Sequence, residues 1–158
     1  MIIFESENYV VEAVDQPLVD RADGGHVAIN PKFNVSTRQG LTPRQAIELM
    51  RLSIVAGEAM TKTMIAQGIE VGRINYQDNG NWSVFKPGGP QLHLHIYGRA
   101  RNARIQKYGQ ACYFPHRDEN PEFYQYNRPL LPEDVRLMKE MMDRLMAEEK
   151  FSDDNWRL

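Results

Sequence analysis

An α+β domain, with a mainly antiparallel sheet of about five strands and two long helices lying on it, is the fold this chain predicts. Three observations carry that expectation. Residues 91–97 alternate strictly between polar and apolar side chains, the period of a strand buried on one face. A run beginning at Thr42 has the start signals and spacing of a long helix, and a second such run follows Pro132. The remaining apolar runs are short, β-rich and punctuated by turn residues.

Taken in order, Ile2–Phe4 reads as a short strand and Tyr9-Val10-Val11-Glu12-Ala13-Val14 as a second. Residues 15–25 carry Pro17, Asp20, Asp23, Gly24 and Gly25, so they form a loop. His26-Val27-Ala28-Ile29-Asn30 is the third strand, stopped by Pro31. In Thr42-Pro43-Arg44-Gln45, Thr42 suits the cap, Pro43 the first helical position and Gln45 the reciprocal partner. The helix that follows puts Ile47, Met50, Ile54, Val55, Met60 and Met64 at roughly helical spacing, and Gly68 ends it. Val71–Tyr76 is a fourth strand, followed by a polar, glycine-rich loop from Gln77 to Pro90 and then the strand 91–97. Residues 100–130 show no period. The last helix runs from Pro132 to about Lys150 and buries Val135, Met138, Met141, Met142 and Leu145, with its methionines as adaptable packing.

The 158 residues suit one domain, 1–158, with its core over about 2–99 and an irregular segment plus the C-terminal helix after it. Nineteen Lys and Arg against twenty-one Asp and Glu give a net charge of −2, which argues against general affinity for nucleic acid or acidic membranes. Arg99, Arg101, Arg104 and Lys107 still form a local basic group. No apolar run approaches the ~20 residues that span a bilayer. The N-terminus lacks the basic stretch and long apolar core of a signal peptide. The single cysteine, Cys112, excludes an internal disulfide and a cysteine zinc site. A cytoplasmic location is the expectation.

Chemistry concentrates in Gln91-Leu92-His93-Leu94-His95-Ile96. Leu92, Leu94 and Ile96 would pack inward, leaving Gln91, His93 and His95 on the other face at spacings of about 7 Å. Two imidazoles on one rigid face supply a nucleophile or base beside a hydrogen-bond or proton donor. A zinc reading would add His26 or His116 as a third nitrogen, but no carboxylate or cysteine spacing supports it. His26 reads more simply as a strand-start histidine satisfied by hydrogen bonds, His116 as a surface-loop residue, with entry into the pocket as its alternative, and Trp82 as core cover, with stacking on a base as its alternative.

The strand 91–97 with its glycine-rich approach, and Gly25-His26-Val27-Ala28-Ile29-Asn30-Pro31-Lys32 upstream, resemble the histidine triad (HIT) nucleotide hydrolases and transferases. The likeness spans roughly residues 2–99. The family pattern of three alternating histidines stands here as Gln91, His93 and His95, so the first is replaced by glutamine. A second departure is Asn34, where many members carry a histidine. The resemblance implies a HIT-like fold. It makes His93 the nucleophile that forms a nucleotidyl-histidine, oriented by a backbone carbonyl near Gln91. His95 would donate hydrogen bonds to phosphate oxygens or protonate the leaving group. It further implies nucleotide contacts from Asp15 (with Asp20 competing), Asn34, Asn79, backbone N–H groups at Gly88 and Gly89, and Arg99. No metal or cofactor is required, and a homodimer paired through the sheet is expected. The function implied is hydrolysis of a dinucleoside polyphosphate, of the diadenosine tetraphosphate kind, or of a nucleoside phosphoramidate. The alternative is a nucleotide-binding protein with little or no turnover, suggested by the amides at 91 and 34.

Overall fold

A computed structural model describes residues 1–78 and 80–158. Five strands, β1 (Ile2–Glu5), β2 (Tyr9–Ala13), β3 (His26–Pro31), β4 (Val71–Gln77) and β5 (Leu94–Ala100), form one sheet in the order β1-β2-β3-β5-β4. Every neighbouring pair is antiparallel. Two long helices, α1 (Pro43–Ala66) and α2 (Pro132–Met146), lie on one face, and a short helix α3 (Asp153–Trp156) closes the chain. The α+β expectation is met. Among the described residues no helix is long and apolar enough to cross a membrane.

α1 begins where its residues dictate. Thr42 accepts a hydrogen bond from the Gln45 amide at 3.3 Å, and the Gln45 side chain accepts one from the Thr42 amide at 2.9 Å. The helix ends before Gly68, whose φ of +79° is a left-handed conformation that glycine adopts without strain. Its buried stripe is turned from the expected one. Leu49, Leu52, Val55, Ala56, Met60 and Met64 face the sheet, while Met50 is half exposed. The turn places Glu48 inside, where it accepts from Ser6 Oγ and from the Asn8 amide and side chain. α2 stops at Met146, short of the expected end, and buries Val135, Met138, Met142 and Leu145. Met141 is only partly buried.

The strand expected over 91–97 starts three residues later and runs three residues longer. The alternation still governs burial: Leu92, Leu94 and Ile96 enter the core beneath α1, while His93 and His95 stay partly open on the opposite face. From Tyr97 onward both faces are covered, because residues 101–128 fold back as a roof over the face without helices. Individual side chains hold this irregular segment in place. The buried carboxylate of Asp23 accepts from the amides of Arg104, Ile105 and Gln106 at 2.7, 2.8 and 2.9 Å. The Gln106 side chain exchanges two hydrogen bonds with the main chain of Tyr113. Asp20 accepts from the amide and guanidinium of Arg128, and Arg21 forms a forked pair with the fully buried Asp134.

The Asp20–Gly25 loop lies directly against β5. A Cβ on Gly24 would stand 2.3 Å from the backbone of Gly98, and Gly24 has φ +127°, so this approach requires glycine at both positions. It delivers Asp23 to the roof.

Candidate active site

β5 and β3 build the site between them. In their register Ala28 lies opposite His95 and His26 opposite Tyr97, so His26 is the diagonal neighbour of His95 on the same face. The His26 and His95 nitrogens are 2.8 Å apart. The Leu18 amide donates to His26 Nδ1 at 3.1 Å, which fixes the tautomers by elimination. His26 Nδ1 is an acceptor, so the neutral ring carries its proton on Nε2 and donates it to His95 Nδ1. His95 in turn keeps its own proton on Nε2. His93 is set the opposite way. Its Nδ1 lies 2.8 Å from the Gln91 carbonyl, which can only accept, so Nδ1 bears the proton and Nε2 keeps a free lone pair. The ring centroids of His93 and His95 are 4.5 Å apart at 89°, closer than ideal strand spacing. Tyr97 stacks beneath His95.

Burial is the main reason that His95 is pushed down to about 4, with the nearby His93 adding to it. His26 is pushed well down, first by burial and then by charge on His95, His93 and Arg117. The unfolded chain takes up protons on these rings below their ordinary value of 6.5, whereas the folded protein does not. The folded state is therefore stabilised in full above pH 6.5, and this contribution drains away as pH falls toward 4. A urea midpoint clearly lower at pH 5 than at pH 7, with a flatter profile for His95→Gln, is the expected result. Equal wild-type midpoints at the two pH values would contradict it.

The two histidines open into a cavity of about 330 Å³ whose other walls include Leu18, Trp82, Ser83, Cys112 and Phe114. His93 and Gly80 are also walls of an adjoining cavity of about 250 Å³, lined by Ser36, Thr37, Asp78 and Gln91 among others. The arrangement offers one lone pair and one N–H donor, side by side, between an aromatic compartment and a polar one.

Folds of this kind are known. The chain superposes on a histidine triad protein from Bradyrhizobium japonicum with a TM-score of 0.60 at 15% identity, covering 91% of this chain and 88% of that one. A hypothetical histidine triad nucleotide-binding protein from Sulfolobus tokodaii gives 0.59 at 14%, covering 94% and 87%. This is the histidine triad fold. A histidine triad protein from Marinobacter aquaeolei gives 0.58 at 18%, covering 92% and 90%. No protein-family model matches the sequence, and no curated protein matches it.

Within this histidine triad fold the expected site residues separate into two groups. His93, His95 and Gln91 come together, though Gln91 contributes its carbonyl while its exposed side chain turns back to the Gly88 carbonyl at 3.4 Å. The others lie apart. Asp15 is exposed, lies 3.7 Å from the N-terminal amine just past the end of β2, and lines neither histidine cavity. Asp20 is occupied by Arg128. Asn34 is exposed and lines neither histidine cavity. Gly88 and Gly89 adopt positive φ in the approach loop and likewise line neither. Arg99 is buried under the roof, bonded to Asn75, Cys112 and three carbonyls. Asn79 lies outside the described residues.

Four residues gained importance. His26 is satisfied by hydrogen bonds as expected, but one of them orients His95. Trp82 faces the histidine cavity rather than only covering core, and His116 backs it with ring centroids 5.2 Å apart. Phe114 belongs to the segment that has no readable pattern. The His26 contact was implicit in the strand pairing, but nothing in the sequence marked Phe114. Among the described residues no three His, Cys, Asp or Glu side chains are grouped as metal ligands.

Proposed function

We propose that this chain is a nucleotide hydrolase acting through a nucleotidyl-histidine on His93, with a dinucleoside polyphosphate as its preferred substrate class over a nucleoside phosphoramidate. The fixed tautomers of His93 and His95 carry the reading. The free Nε2 lone pair of His93 attacks the α-phosphorus, an N–P bond forms, and the P–O bond to the departing phosphate breaks with its electron pair. The His93 ring becomes an imidazolium whose Nδ1–H is held by the Gln91 carbonyl. Water then attacks phosphorus, the P–N bond breaks, its pair returns to Nε2, and the water proton passes to solvent.

His95 enters as a donor. Its Nδ1 already accepts from His26, and its depressed proton affinity keeps it neutral, so Nε2–H serves a phosphate oxygen rather than releasing a proton. A phosphate leaving group departs without a proton, whereas an amine requires one. That difference favours the polyphosphate. A homodimer is part of the proposal, and the unpaired outer side of the edge strand β4 is the surface that supports it.

The test is intact-protein mass after brief mixing with AMP-containing substrates. One nucleotidyl mass on wild type, absent from His93→Ala, supports the reading. Nucleotide binding without adduct or product favours the binding-protein alternative, for which the exposed glutamine at position 91 speaks. Trp82→Ala removes the largest aromatic wall of the cavity, so KM is expected to rise about tenfold with kcat little changed. An unchanged KM would mean that the base lies elsewhere.

A further inference from the structure

On the histidine face, beyond Tyr97, the sheet carries a separate cavity of about 480 Å³ between the edge strand and the roof, lined by Arg73, Asn75, Arg99, Tyr108 and Gln110 among others. Arg73 and Arg99 are partners across β4 and β5, so their side chains rise on the same face. Arg99 is only 3% exposed. Its Nη1 donates to Asn75 Oδ1 and Cys112 Sγ at 3.1 and 3.0 Å. Its Nη2 donates to the carbonyls of Gln106, Lys107 and Gln110 at 3.2, 2.9 and 2.9 Å, and Nε has no partner among the described residues. Every one of these acceptors is neutral, since burial also pushes the Cys112 thiol up and keeps it protonated.

A buried guanidinium ordinarily has a carboxylate against it, because removing a charge from water is costly unless an opposite charge replaces the solvent. Among the described residues no carboxylate lines this cavity. The surroundings add cations instead. Arg73 is exposed and forms no ion pair among the described residues, and the Arg101 guanidinium lies over the Tyr108 ring at 5.3 Å. Lys107 comes from the same loop that wraps Arg99. A chain whose net charge is −2 thus gathers four cations at one corner, three of them around a buried one that forms no ion pair among the described residues.

We infer that this cavity is a binding site for a phosphate-type oxyanion, distinct from the histidine cavity, with Arg73 making the direct contact and Arg99 supplying the fixed field behind it. Guanidinium groups match phosphate oxygens in pairs, and a polar cavity at a sheet edge admits them from solvent. The oxyanion is either free inorganic phosphate or pyrophosphate, or the phosphate tail of a nucleotide. The site stands whether or not His93 is a nucleophile. Because Arg99 also holds Cys112 and the 106–110 loop, an anion here would stiffen the wall shared with the histidine cavity.

The experiment follows the arginine Nε–H resonances of the full-length protein by NMR during titration with pyrophosphate, ADP and adenosine, using Arg99→Lys to assign the Arg99 signal. The expected result is a saturable shift of the Arg99 signal with pyrophosphate and with ADP, none with adenosine, and at least tenfold weaker binding in Arg73→Glu with the amide spectrum otherwise unchanged. Pyrophosphate acting alone would identify the free anion as the ligand. A response to ADP alone, lost in Arg73→Glu, would identify the phosphate tail of a nucleotide as the ligand, whereas a response to adenosine, the absence of any saturable shift, or shifts confined to the His93 and His95 rings and indifferent to Arg73→Glu would each overturn the inference. Failure here leaves the adduct test on His93 untouched.

Discussion

His93→Ala is expected to lower turnover on the order of a thousandfold or more, with folding and nucleotide affinity nearly unchanged. The ring is partly open to solvent, and its hydrogen bond is to the carbonyl of a residue that is itself exposed, so its removal leaves no buried group stranded. The chemistry is what it would lose. No other side chain of the cavity presents an imidazole lone pair: His95 Nδ1 is occupied by His26, and its Nε2 carries the proton. Rates measured under single-turnover conditions, beside the intact mass of the same samples, separate the steps. A variant that still turns over would remove His93 from the role of nucleophile. A variant that binds nucleotide tenfold more weakly would make the ring a binding group first.

Asp23→Ala should cost about 3 kcal/mol and loosen the active-site wall at the same time. Three backbone N–H groups converge on its carboxylate, from residues 81 to 83 positions further along the chain. Without it they lose their acceptor, and for the Gln106 amide this happens out of reach of water, since Gln106 is only 2% exposed. The roof then has Arg99 and the Gln106–Tyr113 exchange to hold it. Cys112 and Phe114, which follow directly, would lose their fixed position over the histidines. Urea unfolding measures the first effect, and a rise in KM exceeding any fall in kcat measures the second. Asp23→Asn retains one acceptor oxygen and should fall between wild type and alanine. If Asp23→Ala unfolds at the wild-type midpoint, the carboxylate is not what anchors the roof.

How far the sequence could be read depended on how local each cause was. The Thr42 cap, the alternation from Leu92 to Ile96 and the buried residues of α2 are all set within a few positions, and all were legible. The rotation of α1 was less so, because Met50 and Glu48 sort themselves by what β1 and the following turn offer, not by hydrophobicity. The place of His95 beside His93 on the open face was readable, but its tautomer was not: that depends on His26 two strands of sequence away and on the amide of Leu18. The roof was opaque for a plainer reason. Asp23, Arg99 and Gln106 hold it through single side chains acting over long separations, and such contacts leave no period in a sequence. The place of Asp15 was not legible either, because resemblance assigns a position in the chain, whereas the fold decides where the side chain goes.

The sequence of donations from Leu18 through His26 to His95 gives the candidate active site a direction, like a row of arrows all pointing the same way. Each arrow is set by the one before it, and the first is a peptide plane. A half-turn of that single amide would present a carbonyl to His26, move the proton from one side of its ring to the other, and leave His95 facing the cavity with an acceptor where it now has a donor. An anionic oxygen placed there would then meet a lone pair instead of an N–H, without any change in the position of a heavy atom on either histidine. Whether the proposed site meets a phosphate with a proton or with a lone pair thus rests on the orientation of one backbone unit, the amide of Leu18.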